Sequence, residues 1–259
     1  DASPTITLGG GLTAAGGART GTGTAGNGGA ITVRDAATLT AAVTANASGG
    51  TGGGTGGDIT FSGSVNGNTA GTRALVLTGG TGDVTVAGAI GASNALSALT
   101  VTGNDISLAG IGTSGAAGVT GATAVTAVTN GADTGSIAFT GTTYNANAQT
   151  YTSVAGETLL VNAGTATSFI SSAETITFGT GTVKLRDVSD LTVNSTGGAI
   201  NMPPVIRGTS AEAVTVTSGA GAGNIAVGQI GSGDEISVIA ITSGTGTTTL
   251  SGNITTADV

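Results

Sequence analysis

A four-residue pattern sets the fold of this chain. Asp58-Ile59-Thr60-Phe61 returns as Asp83-Val84-Thr85-Val86, Asp105-Ile106-Ser107-Leu108, Ser136-Ile137-Ala138-Phe139, Thr175-Ile176-Thr177-Phe178, Ala199-Ile200-Asn201-Met202 and Asn224-Ile225-Ala226-Val227. Each copy reads polar, β-branched or aliphatic, small, then large and apolar, which is the alternation of a strand with one face buried. The copies are separated by Gly, Asn, Asp and Ser, and no apolar 3.6-residue period persists for three turns. The chain is therefore expected to be all-β.

Two further signals follow each copy. An isolated apolar residue hemmed by Gly comes next, as at Val65, Ile90, Ile111, Ile206 and Ile230. Then comes another strand, as in Leu75-Val76-Leu77-Thr78, Leu99-Thr100-Val101-Thr102, Val214-Thr215-Val216-Thr217 and Ile239-Ala240-Ile241-Thr242. Three short strands per unit, returning after about 22–25 residues, are the scale of a stacked repeat. Alone, such a coil buries too few side chains to offset the ordering of its backbone, so it must pair with the coils above and below. The expected fold is a parallel β-solenoid, a right-handed β-helix of about 22–25 residues per coil. Tandem β-sandwich modules are the alternative, and they fit that coil length poorly.

A longer repeat lies over the short one. Val33-Arg34-Asp35 with Leu39-Thr40 returns as Leu185-Arg186-Asp187 with Leu191-Thr192, and Thr5-Ile6-Thr7-Leu8 resembles Thr175-Ile176-Thr177-Phe178. We read residues 1–259 as a single elongated solenoid in which roughly 31–110 and 183–254 are related. Gly-rich insertions at about 10–29 and 47–57 are expected as loops leaving one corner.

Composition narrows the chemistry. The chain has 50 Gly but no Cys, His or Trp, so it has no imidazole base, no thiolate and no ordinary zinc site. Only six Lys and Arg stand against 14 Asp and Glu, for a net charge of −8. Nucleic acid is therefore not an expected partner. No apolar run is long enough for a membrane helix, so no membrane insertion is expected, and a chain starting at Asp1 is expected to have lost any export signal.

The Asp-Ile-Thr-Phe-type strands, the Thr-Gly closures and the Ala, Gly and Thr bias resemble the very large bacterial β-strand-repeat surface proteins, in the broad class of filamentous-haemagglutinin-like adhesins and autotransporter passengers. That resemblance implies export to the cell surface, a parallel β-helix, and a role in adhesion, surface layers (S-layers) or matrix filaments. The expected function is that of an extracellular structural protein forming or extending a filament, layer or fibre by self-association, through its ends or lateral faces. An adhesin stalk that binds a host or glycan target is the alternative. A β-helical polysaccharide-active enzyme is a remote one, and no enzymatic activity is expected. No helical cap is legible at either end, so the ends are expected to meet another solenoid.

Several residues invite a sharper reading. Gly53-Gly54-Thr55-Gly56-Gly57-Asp58-Ile59 looks like one partial calcium-binding nonapeptide turn. This makes Asp58 and Asp83 candidate Ca2+ ligands, against an ordinary Gly-rich corner. No other cofactor is expected. Asp187 and Asp190 beside Lys184 and Arg186 supply the paired carboxylates that glycoside chemistry needs. Yet Arg34-Asp35 repeats the pair without a counterpart of Asp190, as a structural ion pair would. Thr-x-Thr occurs at Thr5, Thr38, Thr100, Thr175 and Thr215, in different strand slots, and is read as solvent-face strand former rather than an ice-binding ladder. Phe61, Phe139 and Phe178 are expected to share one core slot. Asn46, Asn194 and Asn253 sit in Asn-x-Ser/Thr sequons of little weight in so Thr-rich a chain.

Overall fold

The computed structural model describes residues 4–154, 158–161, 165–186, 189–202, 205–208, 212–231 and 235–256. Every regular element among them is a strand, and the strand pairings are parallel, between one coil and the next. The result is a β-solenoid of about eight turns. It has three faces, here called A, B and C in the order in which the chain visits them.

Face A starts with Thr5–Leu8, Ala36–Leu39 and Val65–Gly67. It narrows to single bridges at Ile90 and Ile111, which lead to Tyr144. It then widens into Thr167–Ser171, Leu191–Ser195, Ala213–Thr217 and Val238–Thr242. Face B runs from Leu12–Thr13 through Ala98–Gly103 to Thr248–Leu250. Face C holds eight strands from Ile31–Val33 to Val205–Arg207, continued by bridges at Ile230 and Ile254.

The alternation read in the sequence fixes which side chains point inward. Ile59, Val84, Ile106 and Ile137 stand in one register column on face C, each at most 1% exposed. Phe61, Val86, Leu108 and Phe139 form the next column. Between them Thr60, Thr85, Ser107 and Ala138 face outward and are only half-buried. Because each strand between the two poles is paired on both sides and backed by an aliphatic ladder, the interior is one continuous core and not a row of separate ones. Coil length varies at the corners: hydrogen-bonded corner positions on successive coils lie 25, 22 and 31 residues apart.

One expectation is corrected. The later copies of the motif, at Ile176, Ile200 and Ile225, continue face B and not the face of Ile59. Likewise Phe178 stands in register with Tyr151 on face B, whereas Phe61 and Phe139 belong to face C. The shift occurs at Thr143–Thr152, a 10-residue strand that rounds the A–B corner unbroken. Its start pairs with Ser168–Ile170 on face A and its end with Ile176–Phe178 on face B. Face C is meanwhile carried on by Thr158–Val161. All three faces need the same in-out-in alternation, so the motif marks a strand but not its face.

Where the frame shifts, the core is aromatic. Phe139, Tyr144, Tyr151, Phe169 and Phe178 come from all three faces and meet edge-on or stacked, with Phe139 4.9 Å from both Tyr151 and Phe169. The two phenols are buried and satisfied: Tyr144 donates to Leu108 O at 2.6 Å, and Tyr151 donates to Gln149 Oε1 at 2.9 Å. Burial raises both phenol pKa values, so they act here as neutral hydrogen-bonding groups.

The first Gly-rich insertion contains the face-B strand Leu12–Thr13 and runs on towards the face-C strand Ile31–Val33, and the second lies wholly between a face-B strand and the following face-C strand. They pack against each other largely through backbone, with Thr55 N also donating to Asn27 Oδ1 at 3.0 Å. Gly50 N donates to Gly26 O, Gly26 N to Gly17 O and Gly28 N to Thr55 O, at 2.8–2.9 Å. A Cβ on Gly50 would sit 1.9 Å from Gly17 O, and one on Gly56 1.9 Å from Gly79 O. Glycine is thus required here because the neighbouring chain occupies the space of a side chain.

Candidate functional site

The most organised polar feature is a column of carboxylates on the edge between faces B and C. Asp58, Asp83 and Asp105 each precede a face-C strand and stack coil on coil. Asp83 N donates to Asp58 Oδ1 at 3.0 Å, and Asp105 N to Asp83 Oδ1 at 3.1 Å. Ser136 N and Oγ then donate to Asp105 Oδ1, at 3.0 and 2.7 Å. Each carboxylate closes the corner of the coil above it, using one oxygen as an acceptor that an ordinary turn would leave to water.

The same stacking places negative charges at the coil repeat. Asp83, the middle member, has its pKa raised, first by desolvation. The hydrogen bond from the Asp105 amide opposes that rise, and the charges of Asp58, Asp105 and Asp133 add to it. The sequence singled out Asp58 and Asp83 as Ca2+ candidates, and the structure sets them on adjacent coils. It adds Asp105 above them, which the motif already contained at the same position. Among the described residues no group of three or more acidic, His or Cys side chains converges as a metal-holding set. The column is linear, with one oxygen of each Asp turned to a backbone amide.

The charged pair considered for polysaccharide chemistry lies elsewhere. Lys184 stands on face C in register with Leu160 and Arg207. Arg186 and Ser189 close a turn through Ser189 N to Arg186 O at 3.1 Å. Asp190 Oδ1 accepts from Ala213 N at 2.7 Å, so its carboxylate caps the next coil as Asp58 does. Asp187 lies outside the described residues. The sequon residue Asn46 turns its Oδ1 to Ser48 N and Oγ.

The Thr-x-Thr sites fall on different faces: Thr7 pairs with Thr38 on face A, Thr100 lies on face B and Thr215 on face A. A column the sequence reading did not assemble is Thr78, Thr102, Thr126 and Thr152, in register on the outside of face B. Thr78 and Thr102 close strands that match in sequence, while Thr126 and Thr152 join them only through the register.

The second feature is apolar and was foreshadowed only by the lack of a cap. Among the described residues the exposed large hydrophobic side chains are Val238, Leu250 and Ile254, all on the last coil. Leu250 is 47% and Ile254 42% exposed, whereas their column neighbours Val227 and Ile230 are at most 1% exposed. At the opposite pole Ile6, Leu12 and Ala14 pack on the core from one side and stay half-buried. No helix among the described residues is long and apolar enough to cross a membrane.

No protein-family model matches the chain. No curated protein matches it, and no solved structure does.

Proposed function

We propose that this protein is an extracellular structural element, a stiff rod that forms or extends a surface filament, layer or matrix fibre by associating with itself. The observation that carries this reading is the contrast between its sides and its last coil. The rod sides are paired strands with small, largely uncharged outward residues such as Thr60, Thr85 and Ser107. The exposed large apolar side chains among the described residues gather on one coil, beside strands paired on one side only. Apolar surface next to unpaired strand edges is what further β-pairing covers.

The composition supports the same role. With no His or Cys in the chain, and with Asp58, Asp83, Asp105 and Asp190 all capping the next coil, the polar side chains serve the architecture. Electron microscopy of the purified chain over a rising concentration series tests the reading. Fibres or ordered arrays are expected; isolated rods at every concentration would overturn it.

A further inference from the structure

The columns that run through the core can be followed from one pole to the other, and they start and finish on the same residue types. On face A the register runs from Ile6 through Ala37, Val65, Ile90, Ile111, Tyr144, Phe169, Val193 and Val216 to Ile241. On face B the column that starts at Leu12 finishes at Leu250. On face C the column that starts at Ile31 finishes at Ile254. Ile meets Ile, Leu meets Leu and Ile meets Ile if the two poles are brought together.

We infer that the partner of the last coil is the first coil of a second copy of this chain, stacked head to tail in the register of the internal coils. Ile6 of the incoming copy then lies on Ile241, Leu12 on Leu250 and Ile31 on Ile254. The inference rests on the self-association proposed above and specifies its geometry. Three features of the solenoid select this occupant. The strands at both poles run parallel to the solenoid order, so a second copy adds in the pairing mode that every internal coil already uses. Two of the uncovered side chains, Leu250 and Ile254, are ones that an added coil buries in the interior, since Val227 and Ile230, one coil earlier, are covered in this way, whereas Val238 stands in the outward column of Ala213. At these three positions the matched residues have equal size, so the contact asks for no change of side-chain volume there.

The head-to-tail arrangement is heterologous and does not close, so it generates a fibre and not a dimer. Because one copy's pole differs from the other, each added copy leaves the same pole free.

The chain has no Cys, which makes disulfide mapping clean. In this register Ser251 of one copy faces Thr13 of the next on the outer side of face B, both exposed, at neighbouring-strand separation, which suits a disulfide. The full chain carrying Thr13→Cys and Ser251→Cys together is expected to give, on mild oxidation, a ladder of linked trimers and longer species. Each single variant should give nothing longer than a dimer, and adding Leu250→Asp to the double variant should remove most of the ladder while the circular dichroism spectrum is kept. A double variant that oxidises to no species longer than a dimer overturns the register. If Thr126→Cys, exposed in mid-rod on face B, then links efficiently, the copies associate side by side: self-association stands and the pole-to-pole geometry falls. Monomers in sedimentation for every variant overturn both.

Discussion

The backbone amide of Asp83 donates to Asp58 Oδ1 at 3.0 Å, across a separation of 25 residues, and the carboxylate of Asp83 receives the amide of Asp105 in the same way. A side chain that closes the coil above it links stacking to protonation. The pKa of Asp83 is raised by desolvation and by its acidic neighbours, in excess of what the Asp105 amide lowers it. In the window above the ordinary aspartate pKa of 3.8 the folded state therefore binds more protons at this position than the unfolded chain. The contribution of Asp83 to stability is greatest in acid and declines as pH rises through its folded pKa. Asp83→Asn keeps an acceptor oxygen for the Asp105 amide and removes the charge. Its melting temperature at neutral pH should equal or exceed that of the parent, and the difference should shrink as the buffer is taken below pH 4. A variant destabilised most at neutral pH would contradict this assignment.

The Gly-rich insertions make a prediction that depends on position. Gly56→Ala would place its Cβ 1.9 Å from Gly79 O and 2.7 Å from Gly82 N, so backbone must move, at a cost of about 1–3 kcal/mol. Gly17→Ala meets nothing within 4 Å and should leave stability unchanged within about 0.5 kcal/mol. Denaturant unfolding of the two variants side by side separates a packed slab from a pair of free loops, for which both changes would be neutral.

The aromatic knot at the frame shift should dominate the stability of the middle coils. Phe139 touches rings from the other two faces, Tyr144, Tyr151, Phe169 and Phe178. Phe139→Ala is expected to cost about 3–5 kcal/mol, measured by chemical denaturation.

A buried hydroxyl gives the opposite sign. Thr123 is 2% exposed, its Oγ1 has no hydrogen-bond partner, and it stands in the column between Leu99 and Gln149. Thr123→Val has nearly the same shape and removes an unpaired polar atom. We expect a gain of about 1 kcal/mol, read as a raised melting temperature.

Much of this fold can be read from residues alone. The alternation at Ile59-Thr60-Phe61 and its copies is a local property, so strand positions and inward residues such as Val84, Ile106 and Ile200 are legible without a structure. The face on which a copy lies is not local. Ile176 looks like Ile59, yet it pairs with Gln149, because the unbroken corner at Thr143–Thr152 changes how many strands precede it. For the same reason Phe178 left the column expected for it. The Asp column was half legible: Asp58, Asp83 and Asp105 share the first position of the motif, but only coil stacking shows that each closes the corner above it. Leu250 and Ile254 resemble core residues in sequence, since Leu250 differs from Leu77 only in having no further coil over it among the described residues.

The coils lie in register, including across the frame shift, and paired cysteines on outward positions measure this directly. Thr150→Cys with Thr177→Cys, neighbours on face B, should form an intramolecular disulfide on mild oxidation, as should Thr60→Cys with Thr85→Cys on face C. Thr60→Cys with Thr177→Cys, which the motif alone would stack in one column, should not. A Thr60–Thr177 link in the monomer, or the absence of both expected links, would contradict the stacked prism described here.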